Sequence, residues 1–259
     1  MKRKGVFYFS PTGNCKKIAE EIVKVFDKNN VDKEDITSFK SRKDPIVFEN
    51  YSFAFFIFPI YAGDVPNVVK EYFKRLQGCG IPVSLIALWG NIHSSNALHN
   101  AQLLLNKQNF TVVSGAEIVA PHSYNRGSLQ LALNRPNTEE ILKIQKFALE
   151  SINIKTNTML FPHVKTELMA RLPQRFIPGL VVKMIFDEGR CNKCGLCQKK
   201  CPTHAIDDNL QIDNKKCIRC LACIKYCNTS ARSSVFRTNI PQRFLGRFQG
   251  ISNKCSFYI

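Results

Sequence analysis

The sequence predicts an α/β protein: a doubly wound, five-stranded parallel sheet, followed by a small α+β module. Three observations predict it. Short apolar runs alternate with amphipathic helical stretches through residues 1–153, the pattern of β-α units that place helices on both faces of a sheet. No apolar run approaches the roughly 20 residues of a membrane-spanning helix, so the runs read as buried strands. Eight of the eleven cysteines fall within residues 191–227, in two sets that repeat at an offset of 26 residues.

The elements follow in order. Residues 5–10 form a compact apolar run that reads as a buried strand. Ser10-Pro11-Thr12-Gly13-Asn14-Cys15 then leads into a helix with Ile18, Ile22, Val25 and Phe26 on one face. A strand, a hydroxyl-and-glycine loop and a helix N-terminus together suit an anion, because backbone N–H groups and the positive end of the helix dipole meet there. Cys15 at that terminus is also a candidate for a lowered pKa. A weak strand is expected over residues 35–39. Residues 51–59 are the most apolar run and should be the central strand. Pro59-Ile60-Tyr61-Ala62-Gly63 turns into a helix with Val65, Val68, Val69, Tyr72, Phe73 and Leu76 on its core face. A fourth strand over residues 83–88 ends in Trp89-Gly90-Asn91-Ile92-His93. A helix over 97–107, a strand over 112–119 and a helix carrying Ile141, Ile144, Ala148, Leu149 and Ile152 complete the first domain. The long loop 120–137 is a candidate wall or lid over a site at the carboxyl edge of the sheet.

Residues 154–181 form an apolar, proline-broken linker that must pack rather than dangle, with a helical stretch expected over 166–172. Residues 182–235 form the cysteine module, and 236–259 a basic tail bearing Phe244, Phe248 and Phe257. The tail is expected to wrap back onto the first domain.

The module reads Cys191-x2-Cys194-x2-Cys197-x3-Cys201-Pro202, then Cys217-x2-Cys220-x2-Cys223-x3-Cys227-Asn228. The repeat extends to Phe186-Asp187 against Ile212-Asp213 and to Ala205 against Ala231. Structural zinc also uses C-x2-C pairs, but it favours two separated pairs, and two triplets each followed by a fourth cysteine fit it poorly. The spacing resembles a bacterial-type ferredoxin with two 4Fe-4S clusters. That resemblance implies cross-ligation: one cluster on Cys191, Cys194, Cys197 and Cys227, the other on Cys217, Cys220, Cys223 and Cys201. Asn228 replaces the usual proline and so restores a backbone N–H, which could raise the potential of the cluster bound by Cys227.

The first domain in turn resembles flavodoxin. Ser10, Thr12 and Gly13 match its phosphate loop, and Cys15 stands where a threonine is usual. The resemblance implies FMN at the crevice between the first and third strands, held by Ser10, Pro11, Thr12, Gly13, Asn14 and Cys15. Pro59, Ile60, Tyr61, Ala62 and Gly63 would pack on the ring, with Tyr61 stacking. Trp89, Gly90 and Asn91 would reach its far edge, and His93 is a weaker candidate proton donor. The whole chain thus resembles a flavodoxin–ferredoxin fusion.

The formal net charge is +17, although each oxidised cluster with its thiolates would offset about two charges. The excess lies in residues 162–259, with 17 Lys/Arg against 6 Asp/Glu, which suits an acidic redox partner protein. Nucleic acid is not expected, since no recognisable nucleic-acid motif is present. No signal peptide is visible, and a cytoplasmic location is expected. Three readings follow: an oxidoreductase reducing a small-molecule substrate at the flavin, an electron carrier without a substrate of its own, and a protoporphyrinogen-oxidising flavoprotein. A roomy pocket over the flavin would favour an enzyme.

Overall fold

The computed structural model describes residues 2–92, 96–154, 158–164 and 176–259, with Phe176 and Ile177 described in backbone only. The expected helix over 166–172 and the candidate His93 lie outside these residues.

The sheet is built from β1 (Arg3–Tyr8), β2 (Val31–Asp35), β3 (Tyr51–Pro59), β4 (Pro82–Trp89) and β5 (Thr111–Val119), all parallel, in the order β2-β1-β3-β4-β5. This is the flavodoxin-like doubly wound order, with its switch point between β1 and β3. Successive strand residues point to opposite faces, and each face has its own core. Phe7, Phe56, Leu85 and Ala87 pack with α2 (Asn67–Phe73) and α3 (Ala97–Asn106). Val6, Phe55, Ile57 and Ile86 pack with α1 (Asn14–Val23) and α4 (Thr138–Ser151). Continuous apolar strands follow from burial on both sides.

One detail departs from expectation. The second strand starts at Val31 rather than at residue 35, because an edge strand can carry charges: Asp32 accepts from Arg3 Nε at 2.8 Å. The crossover from β2 to β3 contains a 3₁₀ turn, Lys40–Arg42.

The cysteine module opens with α5 (Phe176–Val181) and β6 (Val182–Phe186). It continues through the short helices α6 (Leu196–Lys199) and α7 (Ala222–Lys225) to β7 (Arg232–Phe236), which pairs antiparallel with β6. Helix α8 (Ile240–Gly246) follows, and the tail ends in β8 (Ser256–Tyr258). That last strand adds antiparallel to β5 as a sixth strand of the main sheet. Arg135 Nη2 donates to the Asn253 carbonyl oxygen at 2.9 Å, Cys255 Sγ donates to Glu140 Oε1 at 3.3 Å, and the Phe257 ring lies 5.5 Å from that of Phe147. The tail thus wraps onto the first domain at an edge that would otherwise stand unpaired.

The two halves are joined by specific bonds. Arg42, buried at 6% exposure, stacks on Phe9 and donates to the Ile36 and Thr37 carbonyls and, across the junction, to the Pro202 carbonyl. Burial lowers its pKa to about 10. Tyr124 Oη donates to the Arg219 carbonyl oxygen at 3.3 Å, and the Arg126 guanidinium sits 3.9 Å from the Phe236 ring centroid.

Candidate functional site

A cavity of about 1390 Å³ opens at the carboxyl ends of β1, β3 and β4. Of the expected cofactor residues, it brings together Ser10, Pro11, Thr12, Asn14, Cys15, Pro59, Ile60, Tyr61, Ala62, Gly63, Trp89 and Gly90.

The first loop is held open by its own side chains. Ser10 Oγ accepts from the Lys16 amide at 2.9 Å, its amide donates to Thr37 Oγ1 at 2.7 Å, and Asn14 Nδ2 donates to the Pro121 carbonyl at 3.2 Å. Gly13 caps α1 at φ 92°, a conformation a side chain would strain. A Cβ there would lie 4.0 Å from Lys225 Nζ, so the cysteine module brings a cation to this loop. Among the described residues the amides of Thr12 and Asn14 have no protein acceptor, as the open end of a helix leaves them. Cys15 corrects an expectation: it is 2% exposed, and burial pushes its thiol up. Desolvation of the thiolate outweighs the helix dipole.

The second loop is a tight turn. Tyr61 and Asp64 exchange backbone hydrogen bonds at 2.9 and 3.1 Å around Ala62 (φ 50°) and Gly63 (φ 76°), the two positive-φ positions of a type I′ turn. Half-buried Tyr61 has its pKa raised by burial and then by the nearby Cys220, so it lies near the second cysteine set.

The third loop is divided. Trp89 and Gly90 line the cavity, and the buried Trp89 Nε1 has no partner among the described residues. A Cβ on Gly90 would sit 2.3 Å from His122 Cδ2, so this glycine makes room for His122. Asn91 departs from its expected place. Its Nδ2 donates to the Ile251 carbonyl at 2.7 Å and to that of Phe248 at 3.4 Å, and Asn253 Nδ2 donates to its Oδ1 at 3.1 Å. The amide is engaged with the tail, whose position the sequence left open.

The long loop expected to wall the site does line the cavity, through His122 and Tyr124, whereas sequence reasoning missed Ile218 and Arg219 from the second cysteine set and Phe244 from α8. His122 is held neutral, its pKa lowered to about 4 by burial, and its Nδ1 accepts from the Tyr124 amide at 3.1 Å.

The two cysteine sets share one backbone. Lys193, Gly195 and His204 have positive φ, and so do Arg219, Leu221 and Ser230, each 26 residues later. Such left-handed turns point successive N–H groups inward. Accordingly Lys193 N donates to Cys191 Sγ at 3.4 Å and Ala205 N to Cys201 Sγ at 3.2 Å. A small cavity is lined by Cys191, Cys194, Cys197 and Cys227, together with Arg232. Cys201, Cys217, Cys220 and Cys223 form a second group close enough to act on one another electrostatically. Burial raises the pKa of Cys223 to about 12 and that of Cys220 further. Such thiols stay protonated unless a metal takes the thiolate. Among the described residues no three His, Cys, Asp or Glu side chains converge on a single-ion site.

Residues 184–207 match the family of 4Fe-4S binding domains, a stretch that contains the first cysteine set. No curated protein matches the chain. Solved structures similar to it include a Streptococcus pneumonia TIGR4 flavodoxin, at 16% identity over 57% of this chain and 96% of that one, TM-score 0.41. A Fusobacterium nucleatum flavodoxin bound to flavin mononucleotide is 18% identical over 58% and 96%, TM-score 0.42. A flavodoxin from the domain Archaea is 13% identical over 58% and 96%, TM-score 0.42. By its strand order and its first cysteine set, the chain joins a flavodoxin-like α/β domain to a segment that matches 4Fe-4S binding domains in one polypeptide.

Proposed function

We propose that the chain is an electron-transferring iron-sulfur flavoprotein, with FMN held by residues 1–153 and two 4Fe-4S clusters held by residues 182–235. The observation that carries this is the shared cavity: Ile218 and Arg219, which flank Cys217 and Cys220, line the same space as the Ser10–Cys15 and Pro59–Gly63 loops. FMN would supply exchange of one or two electrons, and each cluster would carry one.

The residues fit these groups. The unclaimed amides of Thr12 and Asn14, with Lys225 beside Gly13, suit a phosphate. Tyr61 and Trp89 offer aromatic surface to a flat ring. The cysteine quartet around a small cavity suits four-cornered cubane ligation better than a single zinc. The matching positive-φ pattern extends this to a second cluster on Cys201, Cys217, Cys220 and Cys223. The role of these residues is to hold the groups at fixed separation and keep water away, and the Arg42–Pro202 and Tyr124–Arg219 bonds lock that spacing.

The size of the cavity favours a small-molecule oxidoreductase over a pure carrier. Its volume exceeds the roughly 300–1,000 Å³ of ordinary ligand pockets, leaving room beside a bound FMN, and Tyr124, Phe236 and Phe244 are among its lining residues. The basic excess of residues 162–259 suits an acidic protein donor, whose docking weakens with salt. Anaerobic reconstitution tests the reading: about eight iron, eight acid-labile sulfide and one FMN per chain are expected. Stoichiometric zinc without sulfide, or no retained flavin, would overturn it.

A further inference from the structure

Arg232 is a buried cation with no protein anion to match it among the described residues. It is 3% exposed at the start of β7, directly across the ladder from Phe186, with its guanidinium carbon 3.9 Å from that ring's centroid. Nη2 donates to the Leu210 carbonyl and lies 3.8 Å from Cys197 Sγ. Nε and Nη1 are buried without a partner among the described residues. A buried, unpaired guanidinium is costly unless a negative group sits beside it. The space beside it is the cavity lined by Cys191, Cys194, Cys197 and Cys227.

The internal repeat supplies a comparison within the same chain. The 26-residue offset puts Ile206 in the place of Arg232 and Ile212 in the place of Phe186. The fold follows this pairing: Ile206 bridges Ile212 antiparallel, as Arg232 pairs with Phe186. Ile206 packs with Cys223, the repeat mate of Cys197. At this position one cysteine cage holds a buried cation that reaches sulfur and the other a hydrocarbon side chain; the second cage's own buried cation, Arg219, directs its guanidinium to the Asn214 and Cys217 carbonyl oxygens and Asn214 Oδ1.

We propose that Arg232 is the counter-charge of the cluster on Cys191, Cys194, Cys197 and Cys227, and that it makes this cluster easier to reduce than the one on Cys201, Cys217, Cys220 and Cys223. The proposal rests on the two-cluster reading above. A cluster with four thiolates carries about −2 when oxidised and about −3 after taking one electron. A nearby cation favours the more negative state, and N–H donors toward sulfur act in the same direction. Ile206 provides neither. Asn228 restores a backbone N–H next to Cys227, whereas Pro202 removes one next to Cys201, so both differences favour the same cluster. The more reducible cluster is also the outer one, since Lys215, Ile218 and Arg219 of the other set line the large cavity.

An EPR-monitored titration of reconstituted holoprotein with dithionite, the one-electron source, tests this after iron and sulfide have been counted. Wild type should show two cluster signals whose reduction equilibria differ at least tenfold, about 59 mV for one electron. Cys194→Ala should remove the more easily reduced signal. Arg232→Gln should bring that signal down at least tenfold, Arg232→Lys should keep it, and the other signal, whose ligand Cys223 also feels Arg232, should move less. Two clusters titrating together in wild type, or an Arg232→Gln protein with full iron and both potentials unchanged, would overturn the proposal. If Arg232→Gln does not hold its iron, wild type and Arg232→Lys decide: a separation that the lysine keeps supports the role, and its loss in the lysine variant counts against it. A wild type without iron and sulfide would instead remove the two-cluster reading itself.

Discussion

The Tyr124 hydroxyl donates to the Arg219 carbonyl oxygen at 3.3 Å, tying the long loop of the α/β domain to the second cysteine set. Both residues line the large cavity, so this bond would fix the distance between the expected flavin and the proposed nearer cluster. Tyr124→Phe keeps the ring and removes the donor. It should cost about 1 kcal/mol of stability and slow electron transfer from cluster to flavin, as read from denaturant midpoints and rapid mixing. A variant matching wild type in both would mean that the junction is held elsewhere.

The loop around Gly13 yields a second prediction. Thr12→Ala should weaken FMN binding by roughly 1–2 kcal/mol, and Gly13→Val should do worse, because φ 92° is poorly tolerated by a β-branched residue. Lys225→Gln should weaken FMN by roughly 0.5–1 kcal/mol, as expected of an exposed charge, and leave riboflavin unaffected because riboflavin lacks the phosphate. Flavin fluorescence titrations with both ligands separate these effects. Equal losses for FMN and riboflavin would place Lys225 away from the phosphate.

His122 gives the chain a pH dependence. Burial holds its folded pKa at about 4, against an ordinary value near 6.5. Between these values the unfolded chain binds the proton and the folded chain does not, so stability falls as pH drops from about 6.5 towards 4. The full loss is on the order of 3 kcal/mol. His122→Asn should flatten this part of the curve in urea melts at stepped pH. An unchanged slope in the variant would assign it to another group.

A second acid-sensitive point lies at the tail. Burial raises the Glu140 pKa, but Arg135, the Asn137 amide and Cys255 outweigh it and leave it lowered. A carboxylate with a depressed pKa contributes stability above its unfolded value near 4.3, and that contribution is lost as pH falls through the folded value. Glu140→Gln should loosen β8 at neutral pH by roughly 1–3 kcal/mol, the loss of a charged, part-buried hydrogen-bonded partner. Faster amide exchange at 256–258 would report it, and unchanged exchange would show that Arg135 holds the tail alone.

Much of this architecture was legible because it rests on spacing. The cysteine register fixes which sulfurs can converge, and strands buried on both faces, such as residues 51–59, advertise themselves as unbroken apolar runs. Features that depend on distant partners were not legible. Val31–Asp35 reads as a charged loop until β1 lies beside it. Ser256–Tyr258 is three residues long and becomes a strand only through β5. Asn91 looked like a ligand contact because nothing in its neighbourhood announced the tail that engages its amide. Arg42 and Arg232 look like surface charges in a basic sequence, and only the rings of Phe9 and Phe186 with the carbonyls around them account for their burial. Cys15 carried a valid helix-terminus argument, and its burial proved the larger effect.

The central claim is that electrons reach the flavin through the cysteine module. Stopped-flow reduction of the flavin by a low-potential protein donor tests it most directly, comparing wild type with Cys194→Ala, which should lose the proposed outer cluster and keep the flavin. Donor-driven flavin reduction should slow at least tenfold in the variant, while direct chemical reduction of the flavin proceeds at the wild-type rate. Equal donor-driven rates in the two proteins would contradict the account.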